Sequence, residues 1–123
     1  MTSTPDGIDE RAFRFLCDVI RFVRTFDDRC SRQLVDQLVG ASGSIAANRQ
    51  EALGASSRRE FVRFNEIALR GAKESTMWVR ACLETGLGNS DTAAKLLEEA
   101  QQLARILGSI VVRTKKRSVN PNL

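Results

Sequence analysis

The sequence predicts an all-α protein that folds as an antiparallel up-down-up-down four-helix bundle. Apolar residues recur at the i, i+3, i+4, i+7 spacing of amphipathic helices in four long segments, which short polar or glycine-containing stretches separate. Proline occurs only at Pro5 and Pro121, so no proline interrupts the residues between them. Long helices joined by short connections favour antiparallel neighbours in one bundle.

The first helix begins at Ile8, after a polar tail of about residues 1–7. Its apolar stripe continues to Phe26, and the charged tripeptide that follows forms the predicted turn. Phe13 and Ile20 lie outside this stripe and seven residues apart, so we expect a second apolar contact surface on this helix.

The second helix is predicted from about Cys30 to Leu53. The run from Gly40 to Ser44 is equally compatible with a loop, because glycine and serine interrupt regular structure. The apolar period continues in phase across this run, which favours one helix. We expect Gly40, Ser44 and Ala47 to form a smooth face that allows another helix to approach closely.

The third helix opens at a capping box formed by Ser57 and Glu60. The serine oxygen can accept a hydrogen bond from the glutamate N–H, and the glutamate side chain can reach back to the helix start. The helix continues to about Thr85, and Gly86 is the predicted C-terminal stop.

The fourth helix opens near Asn89 or Ser90 and ends in a basic run at residues 113–117, before a polar tail of about 118–123. Cations in a last helical turn are favoured by the helix dipole. We expect residues 1–123 to form a single four-helix-bundle domain, because a chain of this length fits one domain.

The composition argues against an enzyme and against a bound cofactor. The chain has no histidine, so a Ser/His or Cys/His nucleophile pair cannot be built, and three widely spaced cysteines do not form a zinc site. We predict no catalytic residues, no cofactor and no metal. Neither an apolar leader nor an apolar run of about 20 residues is present, so we expect a cytoplasmic protein with no membrane partner.

Two polar residues, Asn48 and Glu74, fall on apolar stripes of the second and third helices. A buried carboxylate must be paired or protonated. We predict a buried structural polar pair that fixes helix register, with Arg49 or Arg80 helping. The alternative is a shared polar site in which Glu74 is a catalytic acid, but a lone carboxylate cannot support most hydrolytic mechanisms.

Five cations on one face of the third helix form the basic stripe, which consists of Arg59, Arg63, Arg70, Lys73 and Arg80. Their spacings of 4, 7, 3 and 7 residues keep them on one face, interrupted by Glu66. Such a track is typical of phosphate binding, and the alternative is a solvated face with ion pairs to Glu66 and to other helices. The candidate nucleic-acid-binding set is completed by a cluster near the end of the chain: Arg113, Lys115, Lys116 and Arg117. The net charge of +4 permits this function without demanding it.

Surplus apolar residues indicate a possible subunit interface. A single bundle has one core, and we interpret Trp78, Phe13 and Ile20 as apolar surface in excess of what that core needs. The alternative is ordinary packing at the edge of the bundle.

Two linked motifs occupy the centre of the chain. The pattern QLxxAxxSIxxNxxE runs from Gln37 to Glu51, and SxxEFxxFxxIAxxxxxE runs from Ser57 to Glu74. Together they resemble a bacterial four-helix-bundle family named after the intervening sequences of 23S ribosomal RNA genes, over roughly residues 10–112. The chain departs from the family pattern at the position after the first motif, where it has alanine instead of glycine.

This family is similar to the accessory variability determinant of diversity-generating retroelements, a homopentameric four-helix bundle that binds nucleic acid and a reverse transcriptase. The stretch from Arg105 to Ile110, followed by Arg113 and Lys116, is similar to its fourth helix. The resemblance implies a non-enzymatic homo-oligomer, a pentamer, that binds DNA or RNA, a reverse transcriptase, or both through basic surface. The alternative is a protein-interaction scaffold without nucleic-acid affinity.

Overall fold

The computed structural model describes residues 7–27 and 32–119, and within them it has four helices and no strand. The helices are α1 (Ile8–Val23), α2 (Arg32–Leu53), α3 (Arg58–Thr85) and α4 (Ser90–Val119). α1 packs against α2 and α4, and α3 packs against the same two helices from the opposite corner. This arrangement confirms the predicted up-down-up-down bundle.

The first helix ends earlier than its apolar stripe. Its last residue is Val23, and Phe26 stands in the following turn, where its N–H donates to the Val23 carbonyl at 3.1 Å. The Phe26 ring packs edge-on against Phe22, with ring centroids 4.9 Å apart. Gly88 covers both rings at φ +75°, and a Cβ there would lie 2.7 Å from the Phe22 ring. Phe26 therefore joins the core from a turn.

The second helix is continuous across its glycine-rich stretch, as the apolar period predicted. Its close approach to α3 is centred on Gly71, where an added Cβ would lie 2.8 Å from the Ala41 carbonyl oxygen and 3.3 Å from the Ser44 Cβ. The prediction of a smooth contact face is wrong for Gly40, which has nothing within 4 Å, and for Ala47, which is exposed. Gly40 borders the open groove between α2 and α3, and Ala47 borders the groove between α1 and α2.

Polar caps define the ends of the last two helices. The Ser57 hydroxyl accepts from the Glu60 N–H at 3.1 Å, and the Glu60 carboxylate accepts from the backbone N–H one residue before the cap at 3.1 Å. Gly86, at φ +70°, ends α3 in the left-handed region. The Asn89 side chain accepts from the Thr92 N–H at 2.9 Å and caps α4. These ends confirm the predicted boundaries.

One face of each helix forms the core. Its largest fully buried side chains are Phe15, Phe22, Leu38, Ile45, Leu103 and Leu107. Cys82 is buried among them, whereas Cys30 lies outside the described residues. Among the helices of the described segments, none is long and apolar enough to cross a membrane.

Candidate nucleic-acid interface

All five residues of the basic stripe are exposed on α3. The core face of this helix consists of other residues, among them Val62, Ala68 and Val79. The stripe therefore lies on the side of α3 that is turned away from the bundle. Its ends, Arg59 and Arg80, are about 32 Å apart along the helix axis at 1.5 Å per residue.

No residue of the basic stripe forms an ion pair within the described part of the chain. The expected alternative, neutralisation of the stripe by Glu66, is not what the structure shows. The Glu66 carboxylate instead lies 2.7 Å from the Nζ of Lys115 on α4. Among the described residues, the stripe cations thus have no carboxylate partner.

The Glu66–Lys115 pair places the last turns of α4 beside the first half of α3. Arg113, Lys116 and Arg117 are exposed on those turns. The Arg113 side chain also donates to a backbone carbonyl one turn earlier at 3.3 Å. The basic cluster at the end of α4 therefore lies beside the first half of the basic stripe.

The basic stripe has an exposed apolar neighbour but no exposed aromatic one. Met77 is 51% exposed between Lys73 and Arg80 on the same helix. The aromatic residues of α3, which are Phe61, Phe64 and Trp78, are all half-buried. Proteins that bind single-stranded nucleic acid stack its bases on exposed aromatic rings. Because α3 exposes cations and no aromatic ring, this surface is suited to contacts with phosphates.

The predicted polar pair of Asn48 and Glu74 does not form. The Asn48 amide donates to the Ser44 carbonyl at 2.8 Å and to the Ser44 hydroxyl at 3.1 Å, both on its own helix. Glu74 is exposed. It lies at the rim of a groove between α2 and α3, one turn beyond the close contact at Gly71. The prediction is wrong because the stripe that contains Glu74 follows the seam between two helices, while the core face lies beside it.

A different polar network joins three helices. Arg49 is 6% exposed on α2, and its Nε donates to the Asp9 carboxylate of α1 at 2.7 Å. Its Nη1 donates to the side-chain Oδ1 of Asn65 on α3 at 2.7 Å. The Asn65 amide in turn donates to the Phe61 carbonyl at 2.8 Å. This network thus links α1, α2 and α3 through polar side chains, where a pair of Asn48 and Glu74 was predicted.

Sequence reasoning named Arg49 as a helper but missed both of its partners. Asn65 lies on the core face of α3, three residues after Val62 and three before Ala68. A polar residue at such a position was the available signal, because buried amides need partners. Asp9 gave no such signal, since it lies in the first turn of α1, where acidic residues are common.

The predicted interface residues fall on two separate surfaces. Phe13 is 54% exposed on α1 and borders a groove of about 400 Å³ between α1 and α2, with Gly43 and Ala46 in its wall. Ile20 is half-buried two turns further along α1. Trp78 is half-buried on α3, and its indole N–H finds no acceptor among the described residues. Because α1 and α3 occupy opposite corners, the two surfaces are distinct.

A groove between α1 and α4, with a volume of about 400 Å³, contains the acidic side chains Asp18 and Glu99. Asp18 pairs with Arg21 at 3.0 Å, and Glu99 pairs with Arg11 at 2.7 Å. Both carboxylates are therefore held by arginines. Within the described segments, no group of three or more Cys, Asp or Glu side chains is placed to hold a metal ion.

The fold and this surface define a helical bundle with a cationic outer face. The chain belongs to the 23S rRNA-intervening sequence protein family, which it matches over residues 8–109, so the predicted family membership is confirmed.

Its fold is similar to the crystal structure of a protein of unknown function from the S23 ribosomal protein family of Bacteroides thetaiotaomicron. The TM-score is 0.76 and the identity is 21%, over 85% of this chain and 98% of the other. At that identity the likeness shows the fold alone. No curated protein matches the chain.

Proposed function

We propose that this protein is a non-enzymatic, cytoplasmic homo-oligomer that binds nucleic acid through the basic stripe. The observation that supports the proposal is the row of five exposed cations that have no carboxylate partner among the described residues. A cation that is already paired must break its pair to bind a phosphate. An unpaired cation needs only to displace the counterions of the phosphate, which favours binding by release of those ions.

The proposed oligomer is a ring of five copies. Two distinct apolar surfaces, at Phe13 on α1 and at Trp78 on α3, suit a head-to-tail contact in which one surface of each copy meets the other surface of the next. Such contacts close into rings when the rotation fits. The number five rests on the resemblance to the retroelement accessory protein. A ring repeats the basic stripe in every copy and so multiplies the local density of cations.

The same resemblance supports a nucleic-acid enzyme, such as a reverse transcriptase, as a protein partner. The basic end of α4, with Arg113, Lys116 and Arg117 exposed, lies next to the beginning of the stripe. In this proposal one cationic region serves both the nucleic acid and the enzyme that acts on it.

Charge reversal on the stripe tests the proposal. We expect the full chain to bind labelled DNA and RNA oligonucleotides at low salt in fluorescence anisotropy. Replacing Arg63 and Arg70 together by glutamate should weaken binding at least about tenfold, because two phosphate contacts are lost and two repulsions are added. The matched control replaces Arg24 and Arg32 by glutamate; these residues are exposed in the turn after α1 and at the start of α2, and this variant should bind nearly as tightly as the wild type.

Two results would contradict the proposal: no binding by the wild type at low salt, or equal weakening by both double variants. The second result would mean that net charge matters and the position of the cations does not.

A protein-interaction scaffold without nucleic-acid affinity is the second candidate. The exposed Phe13 ring beside the groove between α1 and α2 favours it, because exposed apolar surface marks protein contacts. A wild type that assembles normally but binds no oligonucleotide would favour this function.

A further inference from the structure

Acidic side chains near the basic stripe on α3 could neutralise its cations by forming ion pairs with them. Between Arg59 and Lys73 these are Glu60 and Glu66. Glu60 is turned back to the helix start, where its carboxylate accepts from a backbone N–H at 3.1 Å. Of these two, Glu66 is therefore the acid that lies beside the stripe cations; the exposed Glu74, four residues after Arg70, forms no ion pair with the stripe among the described residues.

Glu66 is placed to pair with two stripe arginines. It follows Arg63 by three residues and precedes Arg70 by four, so all three are neighbours on the helix surface. A glutamate four residues before a cation has the favourable orientation for an ion pair. A pair with either arginine would withdraw that guanidinium group from phosphate binding.

The structure shows another partner for this carboxylate. Lys115, on the neighbouring helix α4, lies 2.7 Å from Glu66, and neither Arg63 nor Arg70 forms an ion pair among the described residues. The side chains of Lys115 and Glu66 are 58% and 40% exposed, so the pair lies at the surface. Loss of Lys115 would leave the carboxylate free to turn to either arginine without any change in the core.

We infer that Lys115 is a positioning residue of the basic stripe. By holding the Glu66 carboxylate it keeps the guanidinium groups of Arg63 and Arg70 available for nucleic-acid phosphates. This role rests on the proposed function. It differs from the sequence-based prediction, in which Lys115 contacts nucleic acid directly.

The inference gives a measurable expectation. Without Lys115, Glu66 pairs with one arginine, and the stripe loses about one phosphate contact. Affinity near 0.1 M salt should then fall about five- to tenfold, and the log–log salt slope should become shallower by about 0.7–0.9. Lys115→Arg should bind like the wild type, because it keeps the cation.

A double-mutant cycle distinguishes positioning from direct contact. Anisotropy is measured with the same oligonucleotide for wild type, Lys115→Gln, Glu66→Gln and the double variant. We expect Lys115→Gln to weaken binding in the wild type and to have little effect once Glu66 is glutamine. Lys116→Gln, a neighbouring exposed lysine, is the matched control and should have the same effect in both backgrounds.

Equal weakening by Lys115→Gln in both backgrounds would overturn this role and identify a direct phosphate contact. No effect in the wild type would overturn it as well. If the wild type itself does not bind the oligonucleotide at low salt, both the proposed function and this role of Lys115 are wrong. Thermal melting of the four proteins is the control for unfolding, and all four should remain folded at the temperature of the binding measurement.

Discussion

Replacing Arg49 by methionine tests whether its network holds α1, α2 and α3 together. Methionine has a similar length and keeps most of the buried volume, so the change removes mainly the charge and the hydrogen bonds. It leaves the side-chain Oδ1 of the fully buried Asn65 without its donor and Asp9 without its cation.

The cost follows from the exposure of the two partners. A buried acceptor without a donor costs about 1–3 kcal/mol. The Asp9 side chain is 34% exposed and can recover water, so its lost ion pair adds about 1 kcal/mol. The free energy of unfolding should fall by about 2–4 kcal/mol in total. For 123 residues this lowers Tm by about 8–16 °C, at about 4 °C per kcal/mol.

Urea unfolding followed by far-UV circular dichroism measures this change, at one fixed protein concentration because the protein is proposed to be an oligomer. Asp9→Asn should cost less, since Arg49 keeps its bond to Asn65. Arg105→Met, at an exposed position of α4, is the control and should stay within about 0.5 kcal/mol of the wild type. If Arg49→Met is also that close to the wild type, the network does not stabilise the fold.

The remaining predictions concern packing, the exposed acid and assembly. Gly71→Ala should destabilise the protein by about 1–3 kcal/mol, because its Cβ would meet backbone of α2, whereas Gly40→Ala should stabilise it by about 0.5–1 kcal/mol; effects of the same sign in urea unfolding would contradict this. Glu74→Gln should stay within about 0.5 kcal/mol in the same assay, and a loss above about 2 kcal/mol would restore the buried-pair interpretation. Light scattering should give a mass several times 13.6 kDa, and Trp78→Ala should lower that mass or the stability, whereas a monodisperse wild-type monomer would refute the ring.

The helices were predictable because one physical signal, the burial of one face, repeats along the whole chain. The apolar period predicted that α2 continues across Gly40 and Ser44, where local propensity favoured neither helix nor loop. The helix does continue there, because packing against α3 outweighs the cost of a glycine. The caps at Ser57 and Gly86 were equally readable, since each depends on a few adjacent residues. The early end of α1 was not predicted, because Phe26 continues the apolar period but packs half-buried against Phe22 from a turn.

The polar contacts were less predictable because they join residues far apart in sequence. The apolar stripe that contains Glu74 has the same periodicity as the stripe that faces the core. Periodicity alone does not distinguish a groove between two helices from the core of the bundle. The partners of Arg49 and of Glu66 lie on other helices, so only the packed bundle reveals them. The exposure of the basic stripe, in contrast, follows from the helix period and was predicted.

The salt dependence of nucleic-acid binding by the wild-type protein tests the central claim most directly. If each engaged stripe contacts at least three phosphates of a single strand, the plot of log Kobs against log salt should be linear, with a slope of about −2 or steeper. Anisotropy titrations over a series of salt concentrations give this slope for DNA and for RNA. Binding that does not change with salt, or no binding even at the lowest salt, would contradict the claim that the basic stripe is a nucleic-acid surface.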